Sequence, residues 1–210
     1  MKKLQVTGLE DSQIYSKNGY ELWFKIRPVF RKLLKVSAIG IENIPEKGGC
    51  IIASNHRSNL DPFVLNIISP RPIFFMAKEE LFKIPIFSWF IKKAGAFPVR
   101  RNGRDIKAIK RALSLLKEGY CIGIFPEGRR AKPGEFGKPQ SGVGLLVSKT
   151  DVPVIPVKIN GTDIVYPVGS KLPKIGKSAI EIKVGNPINI DRTLDYKDIS
   201  NSIMEHIINL

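Results

Sequence analysis

The stretch Cys50-Ile51-Ile52-Ala53-Ser54-Asn55-His56-Arg57-Ser58-Asn59-Leu60-Asp61-Pro62 changes from apolar to polar and then to a helix start. The apolar run 50–53 predicts a buried strand. The following residues are rich in turn formers. Asp61-Pro62 is typical of a helix start, with Asp61 as the N-cap and Pro62 as the first helical residue. A strand, a polar turn and a helix in this order are the building unit of α/β proteins.

The rest of the chain repeats this order. Apolar runs predict further strands at 73–77, 121–125, 152–159 and 179–184, and helical patterns lie at 62–68, 80–93, 104–118 and 140–149. Continuous apolar strands that alternate with helices predict an α/β fold, with a mostly parallel sheet covered by helices. Pro156 cannot donate to a strand ladder, so its strand is predicted to be weakened or to lie at an edge.

The N-terminal part of the chain carries a different pattern. Over residues 13–35, apolar residues fall on one arc of a helix and basic residues on the opposite arc. A basic amphipathic helix with aromatic residues is typical of interfacial anchors, although a surface helix docked on the core would show the same pattern. Pro28 is expected to kink this helix or to begin a second one. We therefore divide the chain into an N-terminal amphipathic helical segment, 1–35, as a membrane-surface anchor, and one folded domain, 36–210.

The charge balance limits the partners. Lys and Arg number 34 and Asp and Glu 19, which gives a net charge of +15. Such a chain favours polyanions: nucleic acid, an anionic membrane surface or phosphorylated substrates. The aromatic residues lie within apolar runs and no nucleic-acid module is recognisable, which disfavours nucleic acid. No secretory leader and no run of about 18 apolar residues is present, so membrane contact is expected from the surface. Cys50 and Cys121, next to or inside apolar runs, are predicted to be buried, reduced thiols.

His56 is the candidate general base, because histidine is suited to proton transfer near neutral pH. Residues five apart on one helix cannot meet, so His56 and Asp61 can pair only if His56 lies on a loop that folds back. Helix capping is the competing role for Asp61. One carboxylate oxygen could cap the helix while the other accepts from the imidazole. His206, the other histidine, is expected to be structural or solvated.

Basic residues gather near the predicted loop ends and helix starts: Lys78, Arg100, Arg101, Arg104, Arg129 and Arg130. Two or three of them together would bind a phosphate, whereas a generic basic surface is the alternative. Glu127 and Gly128 follow an apolar strand directly. They are expected either to orient a substrate hydroxyl, to fix the arginines, or to form a structural turn.

Taken together, these motifs resemble those of the 1-acyl-sn-glycerol-3-phosphate O-acyltransferases, the lysophosphatidic acid acyltransferases. The matching motifs are N-H-x4-D at 55–61, G-x-x-x-V-x-R at 95–101 with a preceding lysine at Lys78, F-P-E-G-x-R at 125–130, and an apolar V-P-V-type segment at 154–157. The resemblance covers about residues 35–190. Arg129 and Ala131 depart from the family pattern, which has threonine at the first position and serine or threonine at the second.

The resemblance implies a glycerophosphate acyltransferase-like αβ fold and acyl transfer from acyl carrier protein or coenzyme A to the sn-2 hydroxyl of lysophosphatidic acid, giving phosphatidic acid. His56 would be the general base, oriented by Asp61. The implied substrate-binding residues are Lys78, Arg101, Glu127, Gly128 and Arg130. No metal and no cofactor other than the donor thioester is implied, and the protein would be peripheral or monotopic at the cytoplasmic face of the cell membrane.

Two alternatives stay open at this point. A related acyltransferase could use glycerol-3-phosphate or another lysolipid as its acceptor. A non-catalytic basic module that binds membrane or nucleic acid would share the charge, but it would not need the motifs.

Overall fold

The computed structural model describes residues 17–83, 96–99, 106–170 and 172–210, without the side chains of 17–22, 78, 81 and 97–99. The strands are β1 (Val36–Ile39), β2 (Cys50–Ser54), β3 (Ile73–Lys78), β4 (Ala96–Val99), β5 (Cys121–Ile124), β6 (Val154–Asn160) and β7 (Ile180–Val184). The helices are α1 (Lys17–Leu33), α2 (Asp61–Ile68), α3 (Ile106–Lys117), α4 (Ser141–Ser148), α5 (Thr162–Val165) and α6 (Tyr196–Ile208). Short 3-10 helices cover Ile41–Asn43 and Glu79–Lys83.

The described strands form one sheet in the order β1-β7-β6-β2-β5-β3-β4. Neighbouring strands are parallel except for the antiparallel pair β6–β7. The predicted mostly parallel α/β sheet is thus confirmed. Strands β2 to β6 all end at the same edge of the sheet, which we call the carboxyl edge. Strands β1 and β7 run the other way and begin at that edge.

Two apolar layers cover the sheet. Along β2, Ile51 and Ala53 pack into one layer with residues of α3, α4 and α6, and Ile52 packs into the other with residues of α2. Burial on both faces explains why the strand is a continuous apolar run rather than an alternating one. Cys50 and Cys121 are in register on β2 and β5, and both are buried free thiols, as predicted. Burial raises the pKa of the Cys121 thiol.

The expectation for Pro156 was wrong, because β6 lies inside the sheet between β7 and β2. The carbonyl of Pro156 accepts from the Gly185 N–H over 2.9 Å, on the side of β6 that faces β7. The N–H that proline lacks would point to the same side, where the ladder with β7 starts only at Val157. The parallel ladder between β6 and β2 is therefore intact at this position.

Three of the four predicted helices are present with boundaries shifted by one or two residues, as α2, α3 and α4. Of the helix predicted at 80–93, only the start is described, and it is the 3-10 helix Glu79–Lys83. The remainder lies outside the described residues. Strands β1 and β4, of four residues each, were not predicted.

Helix α1 divides its apolar arc between the core and the solvent. Trp23 and Phe30 pack on Phe63 of α2, with ring centroids 4.9 and 5.4 Å apart. Ile26, Val29 and Leu33 are exposed, Val29 by 66%. Their positions lie together on one side of the helix, and we call them the α1 stripe.

Pro28 lies inside α1, so it does not begin a second helix. No helix within the described ranges is long and apolar enough to cross a bilayer.

The contact between α4 and α6 gives a stability prediction. A Cβ atom on Gly144 would lie 1.8 Å from the Tyr196 carbonyl oxygen, so Gly144→Ala must push the helices apart. We expect the substitution to lower the free energy of unfolding by about 1–3 kcal/mol. Gly142 lies on the same helix, and a Cβ atom there would meet no other atom within 4 Å.

Gly142→Ala is therefore the matched control, and we expect it to leave stability unchanged or to raise it by up to about 1 kcal/mol. Urea unfolding of both variants measures the difference. Equal stabilities for the two variants would contradict the close contact.

Candidate active site

The site begins where β2 ends and Asn55 continues the sheet with its side chain. Its Nδ2 donates to the Ile159 carbonyl over 2.9 Å, and its Oδ1 accepts from the Ile159 N–H over 2.7 Å. The amide thus replaces the backbone pairing with β6 that the next residue of a strand would have made. Because Asn55 is fully buried and both bonds are made, the main chain can leave the sheet here without unpaired polar groups.

Asp61 organises the turn that follows. Its Oδ2 accepts from three donors: His56 Nδ1 at 2.8 Å, the Arg57 N–H at 2.6 Å and the Ser58 N–H at 2.8 Å. The side chain is completely buried. The structure thus folds the turn back, which is the condition that the spacing required for His56 and Asp61 to meet.

The predicted capping role of Asp61 was wrong. Helix α2 starts at Asp61 itself, and Leu60 is the N-cap, without a side-chain bond to the helix. The Asp61 carboxylate points back to the N–H groups of the preceding turn instead of to those of the helix. The expected division of labour between its two oxygens was also wrong, because Oδ2 makes all three bonds.

The contact with Asp61 sets the tautomer of His56. An ionised carboxylate can only accept, so Nδ1 carries the proton and Nε2 of the neutral ring carries the lone pair. The imidazole stacks on the Phe125 ring with centroids 4.0 Å apart and an angle of 14° between the planes. Phe125 in turn stacks on Phe75. The His56 side chain is 13% exposed, so it is held rigidly and yet reached from the carboxyl edge.

Glu127 holds the backbone of His56. Its Oε1 accepts from the His56 N–H over 3.0 Å and its Oε2 from the Gly137 N–H over 3.1 Å. The His56 carbonyl accepts from the Ala131 N–H over 2.8 Å. A Cβ on Gly137 would lie 2.7 Å from Glu127 Oε2, so a larger residue there would displace the carboxylate. Burial raises the pKa of Glu127, although both N–H bonds act in the opposite direction.

Several contacts around this turn were missed from the sequence. Arg57 Nη1 lies 3.8 Å from Asp163 Oδ2, and its guanidinium lies 5.1 Å from the centre of the Phe136 ring. Ser58 Oγ donates to the Tyr166 carbonyl over 2.7 Å. Phe136 lies 79 residues, and Asp163 and Tyr166 more than a hundred residues, further along the chain, and no local pattern marks them. The polar composition of the turn was the only available signal, and it does not name the partners.

The basic residues are placed unequally. Arg129 and Arg130 are exposed next to Ala131, and so is Gly128. Lys78 is the last residue of β3 and thus lies at the carboxyl edge, with its backbone alone described. Arg101 follows the end of β4 by two residues and lies outside the described residues, as do Arg100 and Arg104. His206 is exposed on α6, where its Nδ1 lies 2.8 Å from the Ser202 carbonyl.

Comparison with known proteins identifies the family. The family model described as Acyltransferase matches residues 35–160. The chain belongs to the acyltransferase family. The match includes every candidate site residue from His56 to Arg130. It does not include the segment before residue 35 or the connection between β6 and β7.

Individual relatives agree with this acyltransferase assignment. A 1-acyl-sn-glycerol-3-phosphate acyltransferase of Bacillus subtilis is 34% identical over 149 residues, 70% of this chain and 71% of that protein. A chloroplastic 1-acyl-sn-glycerol-3-phosphate acyltransferase of Brassica napus is 34% identical over 140 residues, 65% of this chain but 40% of that protein. The acyltransferase chain thus spans well under half the length of this plant relative.

The fold agrees as well. The crystal structure of the 1-acyl-sn-glycerophosphate acyltransferase PlsC from Thermotoga maritima superposes with a TM-score of 0.73 at 26% identity. The superposition covers 90% of this acyltransferase chain and 78% of the Thermotoga chain.

The buried Glu127 predicts a pH-dependent stability difference. A pKa raised in the folded state means that ionisation of Glu127 opposes folding. The contribution of Glu127 to the free energy of unfolding is therefore fully present below the ordinary pKa of glutamate. It is lost as the pH rises through the raised pKa. Glu127→Gln removes this titration. It also places the NH2 group of the amide opposite the backbone N–H of either His56 or Gly137, so that one hydrogen bond is lost at a cost of about 1–3 kcal/mol.

We therefore expect wild type to exceed Glu127→Gln in stability most strongly at acidic pH, with a smaller difference at neutral pH. Denaturant unfolding at several pH values measures this difference. A difference that grows as the pH rises would contradict the raised pKa.

Proposed function

We propose that this protein transfers an acyl chain from an acyl thioester to the sn-2 hydroxyl of lysophosphatidic acid, giving phosphatidic acid for phospholipid synthesis. The observation that carries the proposal is the 2.8 Å contact between His56 Nδ1 and Asp61 Oδ2 at the carboxyl edge. The names of the relatives support the choice of reaction, since the Bacillus and Brassica proteins are both 1-acyl-sn-glycerol-3-phosphate acyltransferases.

The proposed chemistry is direct transfer. Asp61 keeps the proton on Nδ1, so Nε2 of His56 takes the proton of the acceptor hydroxyl as its oxygen attacks the thioester carbonyl. The new C–O bond forms, the C–S bond breaks, and the imidazolium returns the proton to the leaving thiolate. Asp61 stabilises the positive charge of the ring during this step. The hydroxyl itself is the nucleophile, so the step needs neither an acyl-enzyme nor a metal ion.

Lys78 and Arg101 are proposed to hold the phosphate of the acceptor. Lys78 ends β3 and Arg101 follows β4 by two residues, and both strands end at the carboxyl edge. Arg130 directly precedes the residue whose N–H donates to the His56 carbonyl. Converging cations of this kind bind phosphate, and arginine can do so with two parallel hydrogen bonds. Gly128, with φ of +65°, lies in the turn that leads to Arg130.

Glu127 is proposed to shape the acceptor site indirectly. Each of its carboxylate oxygens already accepts a backbone N–H, from His56 and from Gly137. The side chain therefore positions the His56 backbone and the 128–137 loop. This makes it a positioning residue in the proposed reaction.

The proposed site of action is the cytoplasmic face of the cell membrane, with the protein bound as a peripheral or monotopic protein. Support comes from the α1 stripe, which is exposed on the surface of the helix, with the exposed Lys25 and Lys32 next to it along one side. Apolar side chains flanked by lysines favour an anionic lipid surface. The net charge of +15 acts in the same direction.

The more specific part of the proposal is which acceptor and which acyl donor the protein uses. Glycerol-3-phosphate or another lysolipid would need the same base and the same phosphate-binding cations. A basic surface suits an acidic acyl carrier protein as well as coenzyme A. Initial rates with a panel of acceptors, each tested with both donors, identify the preferred pair.

Removal of the base is the decisive test of the mechanism. We expect His56→Ala to abolish acyl transfer with an unchanged circular dichroism spectrum, because no other group would take the hydroxyl proton. Asp61→Asn should lower kcat by about 10³–10⁴-fold through the wrong tautomer of His56. Full activity of folded His56→Ala would exclude the mechanism. In that case, tight and salt-dependent DNA binding would support a non-catalytic nucleic-acid module instead.

A second prediction concerns the phosphate. We expect Arg101→Ala to raise the KM for lysophosphatidic acid by about tenfold or more, because a charged hydrogen bond to the phosphate is lost. The matched control is Lys117→Ala, which removes an exposed cation at the end of α3, away from the carboxyl edge. Steady-state kinetics with varied acceptor distinguish the two variants. An unchanged acceptor KM in Arg101→Ala would remove Arg101 from the phosphate site.

A further inference from the structure

The connection between β6 and β7, residues 161–179, presents apolar side chains to solvent, and we call it the β6–β7 segment. Its exposed large apolar residues are Ile164, Val168, Leu172 and Ile175. Leu172 is 77% exposed and Val168 57%. Exposed apolar residues grouped in this way mark interaction surfaces more often than singly scattered ones do. The family match ends at residue 160, so it assigns no role to this segment.

The β6–β7 segment is attached to the body of the protein at defined points. The Lys174 N–H donates to the Val165 carbonyl over 2.6 Å, which closes the segment on itself. Ser58 Oγ, in the turn that carries His56, donates to the Tyr166 carbonyl over 2.7 Å. The exposed residues are therefore held at a fixed place beside the candidate active site.

Most of the β6–β7 segment carries only positive charge. From residue 164 to residue 180 the sequence contains Lys171, Lys174 and Lys177 and no acidic residue. Lys174 and Lys177 are exposed. Asp163, just before this stretch, lies 3.8 Å from Arg57 Nη1. Apolar side chains interspersed with lysines complement a surface that offers both acyl chains and negative head groups.

The end of the β6–β7 segment lies close to the end of α1 at the carboxyl edge. The Ile180 N–H, just after the segment, donates to the Lys35 carbonyl over 3.1 Å, and Lys35 follows α1 by two residues. Val36 and Ile180 are also register partners in β1 and β7. The two elements that carry exposed apolar residues thus both end at one corner of the sheet. A bilayer is broad enough to contact both at once, which favours it over a small acidic protein.

We propose that the β6–β7 segment is a second bilayer contact, which inserts Val168 and Leu172 among anionic lipids beside the α1 stripe. The proposal rests on the proposed function in that the acceptor is a membrane lipid. One helix alone leaves the protein free to rotate about the helix axis. A second contact removes this freedom and directs the carboxyl edge, with His56, toward the head groups.

The test uses the full chain and vesicles made of equal parts of phosphatidylcholine and phosphatidylglycerol. The variant is Val168→Ser/Leu172→Ser. The matched control is Ile39→Ser, which removes a side chain that is 65% exposed at the end of β1, away from the carboxyl edge. Vesicle co-sedimentation measures binding, and thermal unfolding checks that both variants fold. Transfer to a short-chain, water-soluble lysophosphatidic acid with an acyl-coenzyme A donor measures the chemistry without a membrane.

We expect the double variant to bind the vesicles about tenfold more weakly, with unchanged transfer to the soluble acceptor, and the control to bind like wild type. Lys174→Gln/Lys177→Gln should weaken binding to these vesicles while binding to pure phosphatidylcholine stays the same. Unchanged vesicle binding by the double variant would overturn the proposal. If, with vesicle binding unchanged, a parallel transfer assay shows a loss with an acyl carrier protein donor and none with acyl-coenzyme A, the segment is assigned to the carrier protein instead. Failure of the proposed function is a separate outcome, in which wild type itself shows no transfer to the soluble acceptor.

Discussion

One carboxylate oxygen, Asp61 Oδ2, determines both the shape of the turn after β2 and the state of the histidine in it. It accepts the N–H groups of Arg57 and Ser58 as well as His56 Nδ1, in a fully buried position. Each of these donors would cost about 1–3 kcal/mol if it were buried without a partner. Any other path of the turn would lose these bonds. The conformation that gives the backbone N–H groups their acceptor is therefore also the conformation that orients the imidazole.

The rest of the site keeps this turn in register with the sheet. Asn55 joins its start to β6 through two hydrogen bonds to Ile159. Glu127, just after β5, holds the His56 N–H, and the same carboxylate reaches the Gly137 N–H. The turn is thus attached to two strands that flank β2 in the sheet. Rigid strands position the reactive side chain more accurately than a loop alone would.

Much of the fold follows from the sequence because strands buried on both faces are continuous apolar runs, as at residues 50–53. Strand β5 was predicted although it has only four residues, because it is a continuous apolar run. Strands β1 and β4 are equally short and escaped prediction because β1 contains Ser37 and alternates in burial, and β4 contains Pro98, which disfavours a strand. The start of α2 was placed one residue late, at Pro62 instead of Asp61, since composition alone could not show that the Arg57 and Ser58 N–H groups would engage the Asp61 carboxylate. Pro156 was misjudged because the effect of proline depends on which neighbour its missing N–H would face.

For the site, the spacing of His56 and Asp61 left their contact open, and the motif resemblance favoured it. The two backbone N–H groups that donate to Glu127 could not be foreseen, because the sequence shows a carboxylate and not its hydrogen-bond partners. The same holds for the contact of Ser58 with Tyr166, which joins residues more than a hundred positions apart.

The antiparallel step from β6 to β7 has a consequence for how such chains can diverge. A parallel neighbour must be reached by a crossover that traverses the sheet, which fixes a minimum length and requires packing against a face. An antiparallel neighbour needs only a connection that reverses the chain direction at one edge of the sheet. Insertions, deletions and changes of composition between residues 161 and 179 can therefore accumulate without shifting the register of a strand. This part of the architecture is free to be adapted to the surroundings in which the protein works, while the chemistry beside it stays constant.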